Sequence, residues 1–128
     1  MLSPMRVPGL DVSVDDSHVP WLATRVEGVS WLPLHLTGDG PGNDGAVLIR
    51  MEPGRGYPPH RHLGIEEVLV LAGGYEDDSG VHRAGTYLRY EAGSVHSPVA
   101  VGDPSRPVSP DNPACVLFAI ARGGIEVV

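Results

Sequence analysis

The sequence predicts an all-β domain, and three features carry that prediction. Thirteen prolines and seventeen glycines interrupt the chain at short intervals and leave little uninterrupted length for a helix. Between these breaks recur short runs rich in β-branched, aromatic and aliphatic residues. The spacing of the runs suits many short strands joined by turns into a sandwich or barrel.

In chain order the expected strands are Val29 to Leu36, Gly45 to Glu52, Tyr57 to His62, Glu66 to Leu71, Gly85 to Tyr90, Ser94 to Val99 and Cys115 to Arg122. "TGDGPGNDG", residues 37 to 45, resembles a calcium loop, but Pro41 falls where an oxygen ligand belongs and the sixth position lacks glycine. A hairpin loop is the better reading. "EDDSG", residues 76 to 80, clusters carboxylates, yet Asp and Ser before Gly is ordinary turn chemistry. In "EEVLVLAG" one face carries Glu66, Val68 and Val70 and the other Glu67, Leu69 and Leu71, so both faces are apolar beyond the glutamates. A barrel interior covers one of them. The other needs the N-terminal segment, a second sheet or another subunit, and a buried leucine contributes about 1.5–3 kcal/mol, enough to support a homodimer. "DPSRPVSPDNP", residues 103 to 113, reads as a stiff surface loop, either a spacer or the rim of a site served by His96.

The totals narrow the function. A chain of 128 residues suits one domain, here read as 1–128 with an N-terminal extension 1–28 and a core of about 29–122. The net charge of -7, with all nine cations being arginine, argues against a nucleic-acid or anionic-membrane surface. Without lysine there is no Schiff base. The single cysteine, Cys115, excludes an internal disulfide and a multi-cysteine zinc site, and in "ACVLFAIA" it reads as a buried thiol. "MLSPMRVPGL" has no continuous apolar stretch of signal-peptide type, so a cytoplasmic protein is expected.

The chemistry concentrates in "GYPPHRHLGIEE", residues 56 to 67. His60 and His62 are one residue apart, so on a strand both imidazoles project from the same face, as two ligands of one ion require. A tight turn at Leu63-Gly64-Ile65 followed by an antiparallel strand would return Glu66 beside them. His96, from a neighbouring strand, completes a set of three imidazoles and one carboxylate. His18, His35 and His82 read instead as solvent-facing or hydrogen-bonded. Tyr57, Arg50, Arg89 and Tyr90 lie where they can line a barrel mouth, although the arginines serve equally well as surface partners of Glu52, Glu91 and the acidic turn.

The spacing Gly54, His60, His62, Glu66, Gly73 matches the first cupin motif, G-x5-H-x-H-x3-E-x6-G, at every specified position. Gly85, Gly93 and His96 resemble the second motif, G-x5-P-x-G-x2-H-x3-N, with Glu91 in place of proline and Ala100 in place of asparagine. The stretch from "HRHLGIEEVLVLAGGYEDDSG" to "GSVHSP" is similar to the ChrR-like branch of the cupins, over residues 29 to 100. The resemblance implies a double-stranded β-helix, the jelly-roll barrel of the cupins, with His60, His62, Glu66 and His96 as metal ligands. The anti-sigma members of that branch carry a further N-terminal zinc domain, for which this sequence has no cysteines.

Nitrogen and carboxylate donors without sulfur suit one divalent transition-metal ion per chain, iron(II) first, with zinc, manganese or nickel as alternatives. Four protein ligands on an octahedral ion leave two positions for substrate and oxygen, whereas tetrahedral zinc would be closed and structural. The resemblance therefore implies either a metal-dependent dioxygenase acting on a small diketone or hydroxyaryl ketone, or a metal-binding sensor or regulatory module. A metal-free isomerase with His60 as base fits less well, because Glu66 is intact. Expected partners are a small-molecule substrate and a second copy of the chain, with no nucleic acid and no membrane.

Overall fold

The computed structural model describes residues 19–38 and 42–128, and all regular structure within them is β. In chain order the strands are β1 (Leu22–Ala23), β2 (Val29–Leu36), β3 (Gly45–Met51), β4 (His60–His62), β5 (Glu66–Ala72), β6 (Gly74–Asp77), β7 (Gly80–Arg83), β8 (Tyr87–Tyr90), β9 (Val95–His96), β10 (Val99–Ala100), β11 (Cys115–Ala121) and β12 (Ile125–Val127). They form a six-stranded sheet in the order β1-β2-β3-β11-β5-β8 and two three-stranded sheets, β10-β6-β7 and β12-β4-β9. Every pairing is antiparallel. This is the all-β double-stranded β-helix. Among the described residues no helix is long and apolar enough to cross a membrane.

Prolines explain where strands stop short of the sequence reading. Pro58 and Pro59 have no N–H to give a ladder, so the expected strand from Tyr57 begins only at His60. Pro98 splits the run Ser94 to Val99 into β9, which pairs with β4, and β10, which pairs with β6. The acidic turn is a true turn, but it joins two strands that the reading did not anticipate, β6 and β7. Strand β12, paired with β4, was also unforeseen. Residues 37 to 45 join β2 to β3 as a hairpin, closed where Asp44 N donates to Thr37 Oγ1 at 2.8 Å; residues 39–41 lie outside the described residues.

One expected pairing is replaced. Strands β4 and β5 are not neighbours: β5 lies between β11 and β8 in the large sheet, whereas β4 lies between β12 and β9. The segment between them is tied instead to the end of β11, with Leu63 N donating to Gly124 O and Arg122 N to Ile65 O. A Cβ on Gly64 would sit 2.2 Å from the Arg122 carbonyl oxygen, so only glycine permits this approach. Glu66 therefore meets the histidines across two sheets.

The core sits between the sheets. Val29, Met51, Val68, Val70, Cys115, Leu117 and Ala119 from the large sheet pack with Tyr75 of β6 and Ala100 of β10. Each fully buried aliphatic side chain contributes about 1.5–3 kcal/mol. Cys115 is a free, fully buried thiol, and burial pushes its pKa up to about 12. On β5 the inward residues are Val68 and Val70, while Leu69 faces out and is 39% exposed. The proline-rich loop after β10 is closed on itself by Asn112, whose Oδ1 accepts from Asp103 N and whose Nδ2 donates to Asp103 O, both at 2.9 Å.

Candidate metal centre

Strand alternation puts His60 and His62 on the buried face of β4 and leaves Arg61 exposed, paired with Glu126 of β12 at 3.3 Å. Strand β9 brings in His96, which is the cross-strand partner of His60. The turn that delivers β9 holds despite Glu91 standing where the motif has proline. Ser94 N and Oγ both donate to Glu91 O, at 3.1 and 2.7 Å, and Gly93 supplies a φ of 89°. Gly93 N then donates to His62 O at 2.7 Å, locking the turn onto β4.

All three imidazoles are buried, and the ligand atoms of His60, His62 and His96 lie within 4.8 Å of one another. Their tautomers follow from their partners. His60 Nδ1 lies 3.0 Å from Pro58 O, which can only accept. His62 Nδ1 lies 3.0 Å from Ser94 Oγ, whose own hydrogen goes to Glu91 O. His96 Nδ1 lies 2.9 Å from the Asp77 carboxylate. Each Nδ1 thus carries a proton, and each Nε2 presents a lone pair.

Those lone pairs are the test of fit for an ion. His60 Nε2 and His96 Nε2 stand 2.9 Å apart, a spacing at which two lone pairs repel unless a proton or a metal ion lies between them. His62 Nε2 is buried with no hydrogen-bond partner. A buried orphan of this kind costs about 1–3 kcal/mol unless something binds it. Three imidazole nitrogens with fixed outer hydrogen bonds could hold a metal ion, and the residues fit such a group. Glu66 Oε2 lies 3.7 Å from His62 Nε2. Burial pushes the Glu66 carboxyl up to about 7. Burial, and then the neighbouring rings of His96 and His60, bring His62 down to about 4; burial likewise lowers His60.

Beside the histidines opens a cavity of about 440 Å³ between β2, β3, β11 and β12. Val29, Trp31, Val47, Ile49, Ala119 and Ile125 give it apolar walls, and Glu66 and Tyr57 form its boundary with the histidines. Tyr57 sets its ring edge-on to His60, with centroids 5.5 Å apart. Among the described residues no arginine lines the cavity. Arg89, exposed, pairs with Glu91 at 3.3 Å, the surface role weighed for it from sequence, whereas Arg50, which pairs with Glu52 at 3.5 Å, has a side chain only 16% exposed. No residue of the proline-rich loop lines it either.

Of the remaining expectations, Tyr90 stacks on His62 at 4.9 Å and donates its hydroxyl hydrogen to Asp77 at 2.6 Å. His35 is exposed, and His82 is hydrogen-bonded to Asp77 and Ser79, both as expected. His18 lies outside the described residues. Sequence reading missed Asp77, Ser94 and Tyr75. Period-two alternation along "GYED" was the available signal, since it puts Tyr75 and Asp77 on one face.

The profile of the ChrR cupin-like domain matches residues 10–105. Among solved structures, a chain of the Rhodobacter sphaeroides SigE complex with the anti-sigma ChrR is 28% identical, with a TM-score of 0.61, over 80% of this chain and 48% of that one. This chain therefore spans about half the length of that relative. An acetylacetone dioxygenase from Acinetobacter johnsonii is 14% identical over 100% of this chain and 85% of that one, with a TM-score of 0.68. The polyketide cyclase RemF from Streptomyces resistomycificus is 18% identical over 100% and 86%, with a TM-score of 0.65. At such identities the last two show a shared fold alone. No curated protein matches the chain.

Proposed function

The chain belongs to the ChrR cupin-like family, and from that premise we propose that it is a mononuclear metal-dependent dioxygenase acting on a small diketone or hydroxyaryl ketone. The observation that carries the metal half of this reading is the orphaned, buried Nε2 of His62 beside the facing Nε2 atoms of His60 and His96. These three histidines would hold one divalent transition-metal ion per chain, iron(II) first and zinc, manganese or nickel as alternatives, with Glu66 as the fourth ligand. When bound, the ion would supply Lewis-acid polarisation of a substrate oxygen and, if it is iron, manganese or nickel rather than redox-inert zinc, redox access to dioxygen.

The rest falls to the protein's own side chains. The apolar cavity walls take up an uncharged acyl or aryl group and exclude water from the histidines. The mostly apolar described lining suits a neutral ketone. Glu66 stands at the junction of cavity and histidines, its carboxyl pushed by burial up to about 7, so that below that pH an ion binding it would displace a proton. Oxygen uptake on a panel of diketones and hydroxyaryl ketones tests the reading. Uptake that is lost in His60→Ala supports it, and no uptake on any of them opposes it.

A second reading, a non-catalytic sensor or regulatory module, is favoured by the 28% identity to the chain of the ChrR complex. It predicts a stable protein partner in pulldowns and no turnover. Both readings place the protein in the cytoplasm as a homodimer. Exposed Leu69 and its cross-strand neighbour Tyr87 offer an apolar edge for self-association. Light scattering at twice the chain mass is the expected result.

A further inference from the structure

Asp77 lies outside both ligand motifs, yet its carboxylate gathers donors from four side chains and one backbone amide. Its side chain is 1% exposed. Oδ2 accepts from the Tyr90 hydroxyl at 2.6 Å and from His96 Nδ1 at 2.9 Å. Oδ1 accepts from Ser79 N at 3.0 Å, from the Ser79 hydroxyl at 2.6 Å and from His82 Nε2 at 2.9 Å. The Tyr90 hydroxyl in turn accepts from Tyr75, since its own hydrogen goes to Asp77. Burial alone would push the Asp77 carboxyl up, but these donors outweigh it and hold the carboxyl well below the usual range.

We infer that Asp77 is a positioning residue for the metal centre: by accepting from His96 Nδ1 it fixes the tautomer that leaves His96 Nε2 free for an ion, and it holds the ring against rotation. The inference rests on the metal-centre reading above. The β6–β7 hairpin explains why an aspartate can do this. Alternation puts Asp77 on the buried face with Tyr75, the turn folds Ser79 back onto Oδ1, and the register sets His82 opposite Tyr75. Both carboxylate oxygens are therefore held in place independently of His96. Such a carboxylate behind a ligating imidazole raises its basicity as well as orienting it.

A neutral amide cannot serve both sides of this arrangement. With its oxygen toward Ser79 and His82, its NH2 faces His96 and forces Nδ1 to accept, moving the ring proton to Nε2 where an ion should bind. In the opposite orientation the NH2 meets the Ser79 backbone N–H, which cannot accept.

The test is zinc affinity of wild type and Asp77→Asn by competition with a chelating dye, together with ¹⁵N NMR of the histidine side chains in the zinc-free proteins. The expected result is a loss of about 10–100-fold in affinity for Asp77→Asn, with the His96 proton on Nδ1 in wild type and on Nε2 in the variant. Equal zinc affinities overturn the inference and leave the metal centre standing, even if the variant is less stable. So does a wild-type His96 protonated only at Nε2, a result that needs no variant to fold. A wild type that binds no zinc overturns both readings at once.

Discussion

Asn112 in the proline-rich loop and His62 in β4 are two deeply buried polar side chains, 3% and 0% exposed. Asn112 spends its hydrogen-bonding capacity inside the protein: besides its two bonds to Asp103, Nδ2 donates to Arg106 O at 3.3 Å and to Pro107 O at 3.4 Å. His62 is satisfied at one end only, with Nδ1 held by Ser94 and Nε2 left without a partner. Burial of polar atoms is tolerated when they are paired. A pairing closed within the chain marks a structural role, and one left open at a convergence of like donors marks a place for something the chain does not supply.

The sharpest way to break this contrast is to exchange the consequences of losing each residue. His62→Leu should weaken zinc or iron(II) affinity by about 100-fold or more, since ligands matter at least as much as the groups behind them. The same change should leave the stability of the metal-free protein within about 1 kcal/mol, because it also removes the orphan. Asn112→Ala should do the reverse. Chemical denaturation should show a loss of about 1–3 kcal/mol from the unpaired loop backbone, with metal affinity unchanged.

Acid and base sharpen the comparison at His62 itself. A histidine brought down to about 4 contributes stability that is present above its ordinary 6.5 and lost as pH falls through about 4. Glu66, raised to about 7, contributes stability that is present below 4.5 and lost as pH rises through about 7. The two slopes oppose each other in the metal-free protein. Metal loading near pH 6 must displace the Glu66 proton, so affinity should fall as pH drops below about 7. Calorimetry in buffers of different ionisation enthalpy should find about one proton released per ion at pH 6, and that release should vanish in Glu66→Gln. The smallest effect belongs to the cavity. Ala121→Leu should narrow it and raise KM for a ketone substrate about fivefold without changing metal content.

The sequence made legible whatever depends on local period and spacing. The pattern of β2, β3, β5 and β11 was readable, because their apolar runs are long; β3, β5 and β11 contain no proline, and β2 absorbs Pro33 with a local shift in its pairing to β3. His60 and His62 could be put on one face from alternation alone. What escaped depends on partners distant in the chain. Strand β12 follows two glycines and is only three residues long, and it becomes a strand by pairing with β4. Asp77 sits beside a real turn, so turn chemistry explained its residue type, although its alternation with Tyr75 points it inward. The route of Glu66 was misread for the same reason: a short turn suggests a hairpin, and only contacts with residues 122–124 redirect it into the other sheet.

The most direct test of the account is elemental analysis of the protein purified without an affinity tag or chelator, alongside His60→Ala. The account predicts a transition metal near one ion per chain in the wild type and its loss in the variant. A wild type free of metal, or a variant that keeps the full complement, would contradict it.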